Sequence, residues 1–279
     1  MMEFYYVGGY TGEKINLIDG DFAAQNVELF LKSTWNYTSL GAIDNRAVIK
    51  GFRKGAEERK LQVQVLADTE DEFNRVMTEA HRVFEADVRN ATPGRLWCNG
   101  YYMDAYAIED THDSFQEYLL FVQKTIKFLL PSPFWTKENK RSFYPLVEDD
   151  GKIDFPVDMP FDLGRDTGYE FFKNDAVGAA RFRMTVYGPC VNPVITLGGH
   201  AYGFDGLTVP SGAYVVIDSV NKTAELVAAN GARTNVFDLR DRDSYIFEPI
   251  PPGNVEVSRV QTLAFDLVIY DERGLPPWI

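Results

Sequence analysis

Long apolar runs are missing from this sequence, and none approaches the ~18 residues that a membrane-spanning helix needs. Cysteine is scarce: Cys98 and Cys190 stand far apart with no CxxC. Two ordinary free thiols are therefore expected, not a disulfide scaffold. Histidine is scarcer than most titratable types, and His81, His112 and His200 share no HExxH or paired-ligand spacing, so no zinc site is expected. Phosphate cradles are absent as well. There is no GxxxxGK followed by Ser or Thr and no GxGxxG after a strand, so the glycines of "GGHAYGFDG" read as turns. Asp149, Asp150, Asp154 and Asp158 cluster in "EDDGKIDFPVD". They lack the Asp-x-Asp-x-Asp-Gly run of a calcium loop and read as a solvated acidic loop. Ser219 and Lys222 match the SxxK of penicillin-recognising enzymes, but that serine must open a helix. Here it falls between "AYVVID" and "TAELVAA", where a solvated hairpin turn is expected. With no convergent constellation left, the sequence predicts no catalytic residue, no cofactor and no metal.

Positive charge is also in deficit. The net charge is −13, with 16 basic and 21 acidic side chains in residues 1–140 and 12 and 20 in residues 141–279. Neither half has the positive field that dominates nucleic-acid affinity, so DNA meeting this protein is expected to slide past. The start, "MMEFYYVGGY", shows no basic n-region, and a secretory signal is not expected. The corresponding expectation is residence in a cytoplasm, or in a particle assembled there.

What the chain does have is core-forming material: 45% hydrophobic and 14% aromatic residues over 279 positions, enough for one large domain or two ordinary ones. The stretch "LLPSPFWTKENKRSFYP" (129–145) marks the candidate boundary, because Pro131 and Pro133 end an apolar run and cannot donate to a ladder. From Thr136 to about Asp175 charge, Pro and Gly mix, which reads as linker and irregular entry to a second domain. Before the boundary, "KLQVQVLA" alternates with period two and reads as a strand. Phe73, Val76, Met77, Ala80, Val83 and Phe84 then fall on one face of a helix over roughly 69–87, with Thr69 and Glu72 as a capping box. "GRLWCNGYYMDAYAIED" reads as a hairpin turning at Asn99-Gly100, and "EYLLFVQKTIKFLL" as a long strand. After the boundary come "RFRMTVYG", "NPVITLGG", "AYVVIDS", "AELVAA", "NVEVS" and "LAFDLVIYDE", the short strands of a β-sandwich.

One segment runs against the overall charge. "RAVIKGFRKGAEERK" holds Arg46, Lys50, Arg53, Lys54, Arg59 and Lys60 against Glu57 and Glu58, a balance of +4. It reads as a solvated hairpin arm, as an arm reaching an acidic neighbouring copy, or as a nucleic-acid patch. For the second reading, Asp104, Glu109 and Asp110 are candidate receivers.

The order of these features resembles the siphophage distal tail protein family, also found in prophages. In the first half the resemblance rests on "GFRKGAEERKLQVQV", the single amphipathic helix, "GRLWCNGYYMDAY" and "PSPFW". In the second it rests on "VYGPCVNPVITLGG", "VPSGAYVVIDSVNKTAELV", "FEPIPPGNVEV" and "LPPWI". The resemblance implies a mainly β fold with one helix. Residues 1–138 would be a ring-forming, tail-tube-like β-sandwich plus helix, and residues 139–279 a galectin-like β-sandwich. It further implies a non-enzymatic homo-hexamer at the virion tail tip, assembled in the host cytoplasm. Its partners would be the tail tube protein, a tail-tip or tail-associated lysin protein and receptor-binding components of the baseplate, with no membrane contact and with DNA passing through a central channel unbound. On this reading Pro131, Pro133, Phe134 and Trp135 pack as the corner where the chain leaves the ring domain. A carbohydrate-binding β-sandwich module is the alternative, argued from Tyr202, Phe204 and Trp278 as candidate sugar-stacking aromatics.

Overall fold

In the computed structural model the described residues are 2–43, 46–116, 120–145 and 170–277. The acidic cluster Asp149, Asp150, Asp154 and Asp158, and Trp278, lie outside them. The chain packs as two compact units, one of Met1–Lys137 with Arg273–Ile279 and one of Glu138–Glu272.

The first unit is built mainly from strands. These are β1 (Phe4–Val7), β2 (Lys14–Asn16), β3 (Ala23–Ala24), β4 (Asn36–Ile43), β5 (Arg46–Arg53) and β6 (Glu57–Leu66). After the helix α1 (Glu70–Arg89) come β7 (Gly94–Cys98), β8 (Tyr101–Gln116), β9 (Phe121–Leu130) and the start of β10 (Trp135–Phe143). Among them, the alternating segment is seen within β6, the hairpin as β7–β8 and the long strand as β9. The order β2–β1–β7–β8 forms one run of strands, and the distal part of β8 turns to β9; β9 pairs β6, and β6 in turn pairs β3. Along β9 every second residue is buried, the pattern of a strand with one face on a core. Asn99 and Gly100 join β7 to β8 with φ of 48° and 78°, the left-handed pair that a type I′ turn requires.

Helix α1 closes this core. The Thr69 hydroxyl accepts a hydrogen bond from the Glu72 backbone N–H at 3.3 Å, and Glu70, Asp71 and Glu72 complement the positive end of the dipole. Phe73, Val76, Ala80, Val83 and Phe84 are buried, with Met77 packed at the margin. One buried residue on this face is an acid. The Asp87 carboxylate accepts from the Tyr6 hydroxyl at 2.6 Å, the Gly9 N–H at 3.1 Å and the Tyr10 N–H at 2.8 Å. A carboxylate near a helix C-terminus is disfavoured by the dipole, so these three donors are what make it tolerable. Burial, and then donation to Asp87, push the Tyr6 phenol far above its usual range.

The polar tract after Trp135 is not all linker: β10 continues as strand to Phe143. "WTKENKRSF" has too few apolar residues to show an alternation, yet Phe143 anchors it by stacking on Phe265 with centroids 4.3 Å apart. The second unit continues with β11 (Glu170–Asn174), β12 (Arg181–Tyr187), β13 (Cys190–Val191), β14 (Val194–Leu197), β15 (His200–Gly203) and β16 (Thr208–Val209). It ends with β17 (Tyr214–Asp218), β18 (Thr223–Val227), β19 (Arg233–Asn235), β20 (Gly253–Arg259) and β21 (Phe265–Arg273). Strands in the orders β19–β18–β17–β12–β21–β10 and β11–β20–β14–β15 bury one shared core, the expected β-sandwich. Leu263, Phe265, Leu267 and Ile269 all point into it.

Two substitutions test this account of the first core by chemical denaturation. Phe73→Ala should destabilise the first unit by about 3–5 kcal/mol through transfer and cavity terms. Asp87→Ala should lower stability by about 3 kcal/mol or more, since three donors lose their acceptor. A loss below about 1 kcal/mol, the range of ordinary surface changes, would contradict either placement.

Candidate functional site

Strands β4 and β5 pair with each other and, among the described residues, with no other strand. Tyr37 faces Phe52 across the ladder and Leu40 faces Val48. Tyr37 is 64%, Phe52 66% and Val48 59% exposed, and Leu40 and Ile49 are exposed as well. Lys50 and Arg53 are exposed on the same hairpin. An isolated two-stranded ribbon is marginal in water, and a run of exposed apolar side chains along one is a contact surface in want of a cover.

What holds the hairpin is its root. The Lys54 ammonium, just past β5, donates to the Ser33 hydroxyl at 2.9 Å and to the Pro133 carbonyl at 3.2 Å. It also lies 4.7 Å from the Phe134 ring centroid and 5.2 Å from that of Trp35, and these two rings meet edge to face. Burial pulls the Lys54 pKa below its usual value. Arg59 is buried: one terminal nitrogen donates to the Phe30 carbonyl at 2.9 Å, the other to the Lys32 carbonyl at 2.9 Å and to Glu57 at 2.7 Å. The Trp135 indole N–H, also buried, donates to that same Phe30 carbonyl at 3.3 Å.

The structure thus divides the basic segment and merges part of it with the corner. Lys50, Arg53 and Lys60 are exposed, and Arg46 opens β5, where its backbone alone is described. Lys54 and Arg59 instead face inward and join Pro133, Phe134 and Trp135 at the root, while Pro131 stays exposed. Phe30, Ser33 and Trp35 complete the root and carry no pattern in the sequence. Trp35 and Phe134 are too far apart along the chain for any local signal to pair them. The acidic receivers are already engaged within the chain. Asp104 lies 3.7 Å from Arg95, Glu109 pairs with Lys127, and Asp110 accepts from the buried Lys124 ammonium at 2.7 Å.

Elsewhere among the described residues the geometry offers no convergent chemistry. Ser219 is fully buried, not solvated, because its hydroxyl accepts from the Phe182 N–H at 2.7 Å. Asp218 organises the turn by accepting from the Val220 and Asn221 N–H groups at 2.8 and 3.0 Å. Burial opposes its ionisation, but these donors and Arg183 outweigh that and hold its pKa below the usual value. Among the described residues no group of three His, Cys, Asp or Glu side chains is placed to hold a metal. A groove of about 760 Å³ runs beside α1, but its cations are matched: Arg82 with Glu13, Arg89 with Glu85 and Lys124 with Asp110. Tyr202 and Phe204 are 1% and 3% exposed and face the core, so neither can stack on a sugar.

Arg59→Met should cost about 3 kcal/mol by urea denaturation, because it strands two carbonyls and Glu57 at a buried site. Arg59→Lys should recover little of this, since one ammonium lacks the fork that reaches Phe30 and Lys32 together. Full recovery by lysine would show that charge alone matters there.

No family model matches the chain, and no curated protein matches it. Solved structures do. The Dit protein of phage SPP1, described as a paradigm of the hub adsorption apparatus in phages infecting Gram-positive hosts, superposes with a TM-score of 0.61 at 12% identity, covering 98% of this chain and 99% of that one. A chain of the phage P2 baseplate in its activated conformation with calcium gives 0.63 at 13% identity, covering 99% and 100%. The strontium form of that baseplate gives 0.62 at 12% identity, with the same coverage. At such identities the likeness is one of fold: over almost its whole length this chain folds like phage hub and baseplate proteins.

Proposed function

We propose that this chain is a structural protein of a phage or prophage tail tip. In this reading the first unit assembles into a homo-hexameric ring around a DNA channel. The ring connects the tail tube to the tail-tip or lysin protein and to receptor-binding components. The observation that carries the proposal is the β4–β5 hairpin: an apolar and basic ribbon with no partner strand among the described residues, held stiffly at its root. A closed ring repeats one self-complementary contact, and such an arm is the kind of element that makes it. The fold shared with hub and baseplate proteins supports the same reading. So does the acidic balance, which disfavours retention of DNA. Because Asp104, Glu109 and Asp110 are occupied internally, the arm's apolar residues should dominate the contact, with Lys50 and Arg53 as its rim.

Sedimentation of the purified chain tests this. The native protein should run as six copies, and Phe52→Ser with Tyr37→Ser should shift it towards the monomer without changing the unfolding transition. Lys50→Glu with Arg53→Glu should weaken assembly less, since rim pairs contribute about 0.2–1 kcal/mol each. A monomeric native protein would sink the ring, and an intact ring in the Phe52/Tyr37 variant would remove the arm from its interface.

A further inference from the structure

The last described residues of the chain do not stay with the second unit. Arg273–Ile279 belongs to the first, so residues 138–272 are an insertion between two parts of one compact body. The returning segment meets two specific places. At one, Leu275, Pro276 and Pro277, with Met2 and Leu31, enclose Cys98 and leave a cavity of only about 10 Å³, room for no more than a single water. The Asn99 amide fastens this cover by donating to the Pro277 carbonyl at 3.2 Å, while its oxygen accepts from the Glu3 N–H at 3.1 Å. At the other, the Gly274 backbone lies so close to Ser33 that a Cβ added there would overlap the serine hydroxyl and would come within 3.5 Å of the Lys54 ammonium. Ser33 precedes β4, and Lys54 directly follows β5. The segment therefore rests on both limbs of the hairpin root.

We propose that residues 273–277 are a latch that seats against Ser33, Lys54 and Cys98 and fixes the direction of the β4–β5 arm, so that the arm is set only once the segment that follows the second unit has been made. The latch suits this use. Pro276 and Pro277 have little conformational freedom to lose on seating, and a marginal two-stranded ribbon takes its direction from whatever braces its base. Chains are synthesised from the N-terminus, so the first unit exists for a time with its root anchored by Arg59 and Trp135 but without the latch, and with Cys98 uncovered. A product truncated within the second unit would stay in that state and would be a poor match for its neighbours in an assembly. This last consequence rests on the ring reading, whereas the latch itself does not.

The test uses the full chain in a Cys190→Ser background, with two substitutions made separately. Gly274→Val places a branched side chain against Ser33. Asn99→Gly removes the amide clasp and keeps the left-handed turn, since glycine tolerates its φ of 48°. Iodoacetamide labelling of Cys98 and hydrogen exchange of peptides covering 30–36 and 53–56 are the readouts, with α1 peptides as the reference. In both variants labelling should quicken about tenfold or more and root exchange should rise, as local opening requires, with α1 unchanged. Faster labelling with root exchange unaltered would break the coupling between latch and arm, and no change in either would remove the latch. If Gly274→Val also exposes α1, the milder Asn99→Gly variant decides between these outcomes. Sedimentation of the same samples reads the ring separately, so a monomer with a working latch overturns the ring alone.

Discussion

Two buried donors meet at one carbonyl, that of Phe30, and the first unit is arranged around that meeting. The Arg59 guanidinium comes from β6 and the Trp135 indole from the start of β10. Phe30 itself is fully buried and packs on Phe4 and Phe128, so the carbonyl is anchored to the centre of the core. A guanidinium taken out of water needs its donors satisfied in a planar fork, and Phe30, Lys32 and Glu57 supply that fork. Once they do, the chain from Phe30 to Trp35 has one position, and the hairpin that follows has one origin. An exposed ribbon without such an anchor would sample many directions and lose entropy on every contact it made.

The local patterns of the sequence survive almost unchanged in the fold. The helix was legible because its stripe, its cap and its acidic first turn all lie within one window, and Asn99-Gly100 because the turn demands two positive φ values. What was not legible depends on partners remote in sequence. A charged run such as Lys54–Lys60 looks solvated residue by residue, and only the fold reveals that Arg59 points to Phe30. Tyr202 and Phe204 looked available because alternation gives two faces without saying which is wet. β10 was hidden for the converse reason, being polar along most of its length and fixed by Phe143 at its far end.

The same contrast explains the physical specificity of the buried polar groups. The buried side chains of Asp87, Arg59, Lys124 and Ser219 are each matched by named partners and so are structural. Catalytic groups, by comparison, are usually left incompletely satisfied until a substrate arrives. The hairpin, by contrast, carries a run of exposed apolar side chains, which directs attention to association.

Strand β8 adds a mechanical consequence. Its first five residues bond to β7, and its later ones bond to β9, so one continuous backbone belongs to two successive ladders. A pull along that backbone loads both rows of hydrogen bonds in shear, where they must give way together; a pull across it peels them one after another. The first unit is therefore anisotropic, stiff along β8 and weaker across it, and it passes tension from one ladder to the other through covalent bonds.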